Sequence, residues 1–279
     1  MEWQEGAGCW VLIPPQPRAV IHFLGGAFVG TAPQVAYRWL LTELAQQGYG
    51  VIATPFLNTL DHQAIARSVL NRFETAYTRL QSQYSLPGGY LPIYGLGHSL
   101  GSKLQLLIGS CYEVERAGNI LLAFNNYPVK QAIPLLEQIN QLKLDSFWDT
   151  VKSQLPSQLA FRPNLTLEFT PSPEDTQTLI REHYQVRRNL LIQFAQDDID
   201  QTLSLFPLLE ERDNSLVARQ VLPGNHLTPL AQELQWSVGE VFSPLDAVGQ
   251  WLKSTLAQDL YRLRAEILRW LNPSIPRHS

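Results

Sequence analysis

The residues best suited to chemistry lie in Gly97-His98-Ser99-Leu100-Gly101, where a serine is flanked two positions away on each side by glycine. Apolar strand character in Ile93 and Tyr94 precedes it, and a helical run, Lys103 to Ile108, follows. This is the pattern of a nucleophile elbow, in which a strained turn between strand and helix exposes a serine hydroxyl and tolerates only small neighbours. A neutral hydroxyl attacks poorly until an imidazole takes its proton, so a histidine and an orienting carboxylate should follow. Val217–Leu222 alternates as a half-buried strand and leads into Pro223-Gly224-Asn225-His226, while Asn189–Ala195 is an apolar strand leading into Gln196-Asp197-Asp198-Ile199-Asp200. The chain order is therefore serine, acid, base, with Asp197, Asp198 and Asp200 competing for the acid role.

From about Val11 to His226 the chain resembles the α/β-hydrolases. The likeness rests on His22-Phe-Leu-Gly-Gly-Ala-Phe28, on the serine pentapeptide, on Ala195-Gln-Asp-Asp198 and on Leu222-Pro-Gly-Asn-His226. The run His22–Gln34, with Thr54-Pro-Phe56 and Asp61-His62 soon after, is most similar to an uncharacterised branch found in cyanobacteria and plant plastids. The resemblance implies a Ser99, Asp198, His226 triad, Asp198 lying three residues after Ala195, as the family's acid does. It also implies an oxyanion hole made by the Leu100 N–H and a backbone donor of the Gly25-Gly26-Ala27 loop, Gly26 before Ala27. Ala195 departs from the glycine usual at that place. His98 is expected to pack, with its side chain turned away from the base.

These groups need a scaffold. Strand patterns at Trp10–Ile13, Ala19–Leu24, Val51–Pro55 and Asn119–Phe124 alternate with helical ones at Gln34–Gln47 and His62–Gln83. That alternation predicts an α/β fold: a mostly parallel central sheet with helices on both faces, here with an inserted cap. The core should comprise residues 1–127 and 185–279, with the cap at 128–184, where the pattern breaks into a helical stretch followed by short proline-rich segments. Leu135, Leu136, Phe147 and Trp148 in the cap are candidates for substrate contacts. Pro244–Leu271 carries leucines at steps of three and four and reads as one long helix. Its first half is expected to pack on the sheet. The second, with Arg262, Arg264, Arg269 and Trp270, is expected to run beyond the core and offer a basic face to a second subunit or an anionic membrane surface.

Composition narrows the function further. The chain has 279 residues and a formal charge of −4, with no cluster of Lys and Arg of the kind that phosphate neutralisation requires, so nucleic acid is not an expected partner. Two cysteines, Cys9 and Cys111, cannot form a disulfide framework and read as reduced thiols. The start lacks a basic and apolar leader pattern, and no apolar run has the length of a membrane span, so a cytoplasmic protein is expected. His22, Asp61 and His62 lack metal-ligand spacing, and neither metal nor organic cofactor is expected. The sequence points to hydrolysis of an apolar carboxylic ester by a serine triad. An acyltransferase using the same triad, or a non-catalytic binding protein on the same fold, is the alternative.

Overall fold

A computed structural model describes residues 1–27, 29–83, 86, 90–132, 168–230 and 244–272, with only the helical backbone given for 244–256. The cap candidates Leu135, Leu136, Phe147 and Trp148 lie outside the described residues, as does most of the expected cap. Eight strands form one sheet: β1 (Gln4–Gly6), β2 (Cys9–Leu12), β3 (Ala19–Leu24), β4 (Tyr49–Ala53), β5 (Ile93–His98), β6 (Gly118–Leu122), β7 (Arg188–Phe194) and β8 (Leu216–Leu222), in the order β1-β2-β4-β3-β5-β6-β7-β8. β1 and β2 run antiparallel to their neighbours, and from β4 to β8 every pairing is parallel.

Every residue of β3, β4 and β6 is buried, as parallel strands covered on both faces must be. One face, carrying Ile21, Phe23, Val51 and Leu96, is covered by α2 (Arg38–Gln46) and by the end of the last helix, α7 (Pro244–Leu271). The other is covered by α3 (His62–Ser82), α4 (Leu100–Cys111), α5 (Pro173–His183) and α6 (Thr202–Glu210). The helix expected at His62–Gln83 is present almost to the residue. Asp61 caps it by accepting from the Ala64 N–H at 2.8 Å, and Ile65, Val69, Phe73 and Leu80 form its buried stripe. Cys9 and Cys111 are both free thiols.

Two expectations change. The helix predicted over Gln34–Gln47 is two pieces, α1 (Pro33–Ala36) and α2, broken at Tyr37, whose backbone leaves the helical region at φ −114°, ψ 20°. The second half of α7, expected to run beyond the core, is part of it: Leu260, Leu263, Ile267, Leu268 and Leu271 are buried against α2 and the sheet. Its arginines do not form a free basic face. Arg262 pairs with Asp259 at 3.3 Å, Arg264 with Glu43 of α2 at 2.8 Å, and Arg269 with Glu266. Trp270 packs edge-on to Tyr94 and lies under Arg188, whose guanidinium carbon is 3.9 Å from its ring.

Leu263 is fully buried at this junction. Leu263→Ala should therefore destabilise the fold by about 2–5 kcal/mol in urea unfolding, and truncation after Gln258 should give insoluble or unfolded protein. A soluble truncated chain with unchanged unfolding would contradict this placement of α7.

Candidate active site

β5 delivers Ser99 to the carboxyl end of the sheet, where α4 begins. Ser99 adopts φ 55°, ψ −119°, a conformation that costs a residue with a Cβ roughly 1–3 kcal/mol and persists only where the surroundings enforce it. Here they do. The Ser99 N–H donates to the Leu122 carbonyl of β6 at 2.9 Å, and the Ser102 hydroxyl donates to the carbonyls of Gly97 and Leu122 at 2.9 and 3.0 Å. A Cβ on Gly97 would stand 2.4 Å from the Gly101 carbonyl oxygen, and one on Gly101 would stand 2.1 Å from that of Leu24. Both glycines are thus required by contact, as the sequence pattern implied.

The candidate base and acid stand on the turns after β8 and β7. Those turns are bonded to each other: the Ala195 N–H donates to the Leu222 carbonyl at 2.8 Å and the Gln196 N–H to that of Gly224 at 2.9 Å. His226 Nδ1 then lies 2.8 Å from Asp197 Oδ2, with the Asp197 side chain fully buried. The second Asp197 oxygen accepts from the Ile199 N–H at 3.1 Å. Asp198, expected as the acid, is exposed instead and does not face the imidazole. The reason is local. β7 ends at Phe194 rather than Ala195, so the residue three beyond the strand is Asp197. Asp200 is occupied elsewhere, accepting from the Thr202 N–H at the start of α6, and burial raises its pKa.

The two candidate oxyanion donors differ in their surroundings. Leu100 is the first residue of α4, where a helix leaves its backbone N–H without an internal acceptor. Gly26 is not open: its N–H donates to the Tyr37 hydroxyl at 2.8 Å. That hydroxyl lies 2.7 Å from His98 Nδ1, and His98 Nε2 lies 2.9 Å from the His226 carbonyl oxygen. The two ends fix every direction, because an amide can only donate and a carbonyl can only accept. His98 Nε2 therefore carries a proton, its Nδ1 accepts from Tyr37, and Tyr37 accepts from Gly26. Burial, followed by the nearby His226, holds the His98 pKa well below the usual range and keeps this neutral tautomer. His98 thus does not turn away from the base. Its ring centroid lies 5.0 Å from that of His226 and it supports the base's own backbone.

Residues 2–273 match the family described as "Protein of unknown function (DUF1350)". The chain belongs to this family. No curated protein matches it by sequence. Among solved structures, this DUF1350 chain is similar to a fluorophosphonate-binding serine hydrolase, FphF, of Staphylococcus aureus (14% identity, 90% of this chain and 91% of that one, TM-score 0.51). It is also similar to esterase B from Lactobacillus rhamnosis (12% identity, 92% and 82%, TM-score 0.54). A third is CarC, a serine hydrolase involved in carbazole degradation (16% identity, 90% and 95%, TM-score 0.50). The DUF1350 chain has the α/β-hydrolase fold.

The sequence reading missed two participants. Tyr37 falls inside the run that reads as the Gln34–Gln47 helix and carries no motif of its own. Asn125, whose side-chain amide donates to Ser99 Oγ at 2.9 Å, had been passed over. Its signal was the polar pair Asn125-Asn126 just beyond an apolar strand next to the elbow strand, at the carboxyl ends where parallel sheets place their ligands.

One turn along α4 from Ser99, Lys103 is 1% exposed, its Nζ 3.4 Å from the Pro171 carbonyl oxygen and 5.7 Å from the Phe169 ring centroid. Burial pulls its pKa from 10.5 down to about 7. Between those values the unfolded chain holds a proton that the native chain has released, so this residue makes stability rise with pH across that window. Lys103→Met should be the more stable protein at pH 7, and its advantage should shrink toward pH 10 in urea unfolding. A gap between the two proteins that is constant with pH would contradict a buried neutral amine.

Proposed function

We propose that this chain is a serine hydrolase that cleaves a carboxylic ester with an apolar acyl group through an acyl-enzyme. The observation that carries the reading is Ser99, held at positive φ on the elbow, with the His226–Asp197 pair 2.8 Å apart on the adjoining turns. The structures it resembles, a fluorophosphonate-binding serine hydrolase and an esterase, support the same reaction class. Ser99 Oγ attacks the ester carbonyl while His226 Nε2, the ring nitrogen not taken by Asp197, accepts the hydroxyl proton. Asp197 keeps the proton of Nδ1 in place and stabilises the imidazolium. Negative charge on the carbonyl oxygen is met by the Leu100 N–H. Collapse expels the alcohol, which takes the proton from His226. Water then attacks the acyl-enzyme by the same steps in reverse and releases the acid. The apolar preference rests on the aliphatic and aromatic residues of the cap sequence, among them Leu135, Leu136, Phe147 and Trp148.

A fluorophosphonate probe should label Ser99, located by mass spectrometry, and labelling should vanish in Ser99→Ala. Absence of labelling on folded protein would instead favour a binding role. Ser99→Ala and His226→Ala should each lose several orders of magnitude in ester hydrolysis, since residues acting as a unit lose nearly everything singly. Asp197→Asn should lower the rate by about 10⁴-fold, whereas Asp198→Asn should change it little. With p-nitrophenyl esters, kcat/KM should rise as the acyl chain lengthens beyond acetate. A strict preference for acetate would refute the apolar substrate.

A further inference from the structure

The Gly26 N–H, the donor most open by sequence, is spent on Tyr37. On the other side of β5 from the Gly26 loop, just beyond β6, Asn125 is half-buried with Nδ2 2.9 Å from Ser99 Oγ. Resting on the serine-hydrolase reading above, we propose that Asn125 is a catalytic residue whose side-chain amide donates to Ser99 Oγ at rest and to the substrate oxyanion once Oγ has attacked.

The amide is suited to both tasks because it carries two N–H donors. The oxyanion forms on the carbon bonded to Oγ, one atom removed from the group Asn125 already touches. One N–H can stay on Oγ while the other meets the developing charge, and no group has to travel. At rest, donation to Oγ also stabilises electron density there, which favours loss of the serine proton to His226.

The backbone around Asn125 is fixed as a preorganised donor requires. On one side, the Gln201 N–H donates to the Phe124 carbonyl at 2.7 Å, and the Gln201 side-chain carbonyl accepts from the Asn126 N–H at 2.5 Å. On the other, Asn126 Nδ2 donates to the Pro173 carbonyl at 2.9 Å. Two residues before Asn125, Ala123 is held at φ 47°, a conformation that a residue with a Cβ rarely adopts, and its N–H donates to the Ile192 carbonyl at 2.8 Å. One residue earlier, the Leu122 carbonyl accepts from both the Ser99 N–H and the Ser102 hydroxyl. The same strand end that strains the nucleophile's backbone therefore sets the start of the segment carrying the amide. Gln201 donates from the turn that also bears Asp197, so nucleophile, amide and acid share one set of bonds.

The test compares wild type, Asn125→Ala and the nearly isosteric Asn125→Asp, each scored for p-nitrophenyl ester hydrolysis, thermal unfolding, fluorophosphonate labelling at Ser99, and inhibition by an alkyl boronic acid, which forms a tetrahedral adduct on serine. Removing one oxyanion donor should lower kcat by about 10²–10³-fold while KM stays nearly constant. Boronate affinity should fall with kcat/KM, and inhibition by the product carboxylic acid, a ground-state ligand, should not. Asn125→Asp keeps the shape but places a carboxylate acceptor beside the charge, so it should be slower than Asn125→Ala. Unchanged kcat in both variants, with wild type active and labelled, would overturn the role. So would a parallel loss of kcat, KM, product binding and melting temperature in Asn125→Asp, which would mark a packing residue. If wild type neither hydrolyses esters nor is labelled at Ser99, the serine-hydrolase reading itself fails, and the role of Asn125 with it.

Discussion

The site depends on one close approach of backbone to backbone. Where β5 turns into α4, the carbonyl of Leu24 on β3 stands where any side chain at position 101 would have to be, and the Gly101 peptide blocks position 97 likewise. No side chain larger than hydrogen can occupy either place, and a shift of an ångström would separate the helix from the strands it abuts. That contact drives Ser99 to positive φ, and the Leu122 carbonyl holds it there. The strain is retained because strands β3, β5 and β6 are buried on both sides and cannot relax without opening the core. Catalytic geometry here is a consequence of packing several residues away from the hydroxyl.

A second constraint links the loops that surround the serine. The chain of bonds from Gly26 through Tyr37 and His98 to the His226 carbonyl crosses the site beneath Ser99. It joins the glycine loop after β3 to the turn after β8 that bears His226, elements four places apart in the strand order. Each of its members satisfies the next, and a buried phenol or imidazole left without a partner would be costly. Burial favours the neutral forms of both Tyr37 and His98, which are the forms this chain of bonds requires.

How much of this could be read from residues alone follows from which forces are local. The elbow was legible because it is a steric demand on five consecutive residues, and the strands because burial on two faces leaves unbroken apolar runs. The break at Tyr37 was not. Residues 34 to 47 keep helical spacing, and the hydroxyl that ends the regularity finds its partners at positions 26 and 98. The acid was misplaced by one residue because β7 stops at Phe194, and strand ends depend on where the neighbouring strand stops pairing; here Phe194 faces Leu222, the last residue of β8. The place of the second half of α7 was not legible for a related reason, since the same periodicity serves a helix wherever it packs, and the ion pair of Arg264 with Glu43 joins positions far apart in sequence.

The charges at the base turn can now be assigned to separate tasks. Three carboxylates lie within four residues, and three like charges crowded at one imidazole would repel each other. Asp198 is in solvent, where its charge is screened. Asp200 is half-buried, its pKa raised first by that burial, and its oxygen serves the Thr202 N–H at the start of α6. Only Asp197 faces His226, with both oxygens engaged and its side chain shielded from water. On the other side of the base, His98 stays neutral and gives its single proton to the His226 carbonyl. It therefore has no lone pair to offer Ser99, since Nδ1 is already filled by Tyr37. Under the proposed mechanism His226, not His98, takes the serine proton, and Asp197 stands beside the charge that it creates. The two histidines lie with ring centroids 5.0 Å apart, and their hydrogen bonds distinguish them: both ring nitrogens of His98 are spent on Tyr37 and the His226 carbonyl, whereas Nδ1 of His226 faces a carboxylate.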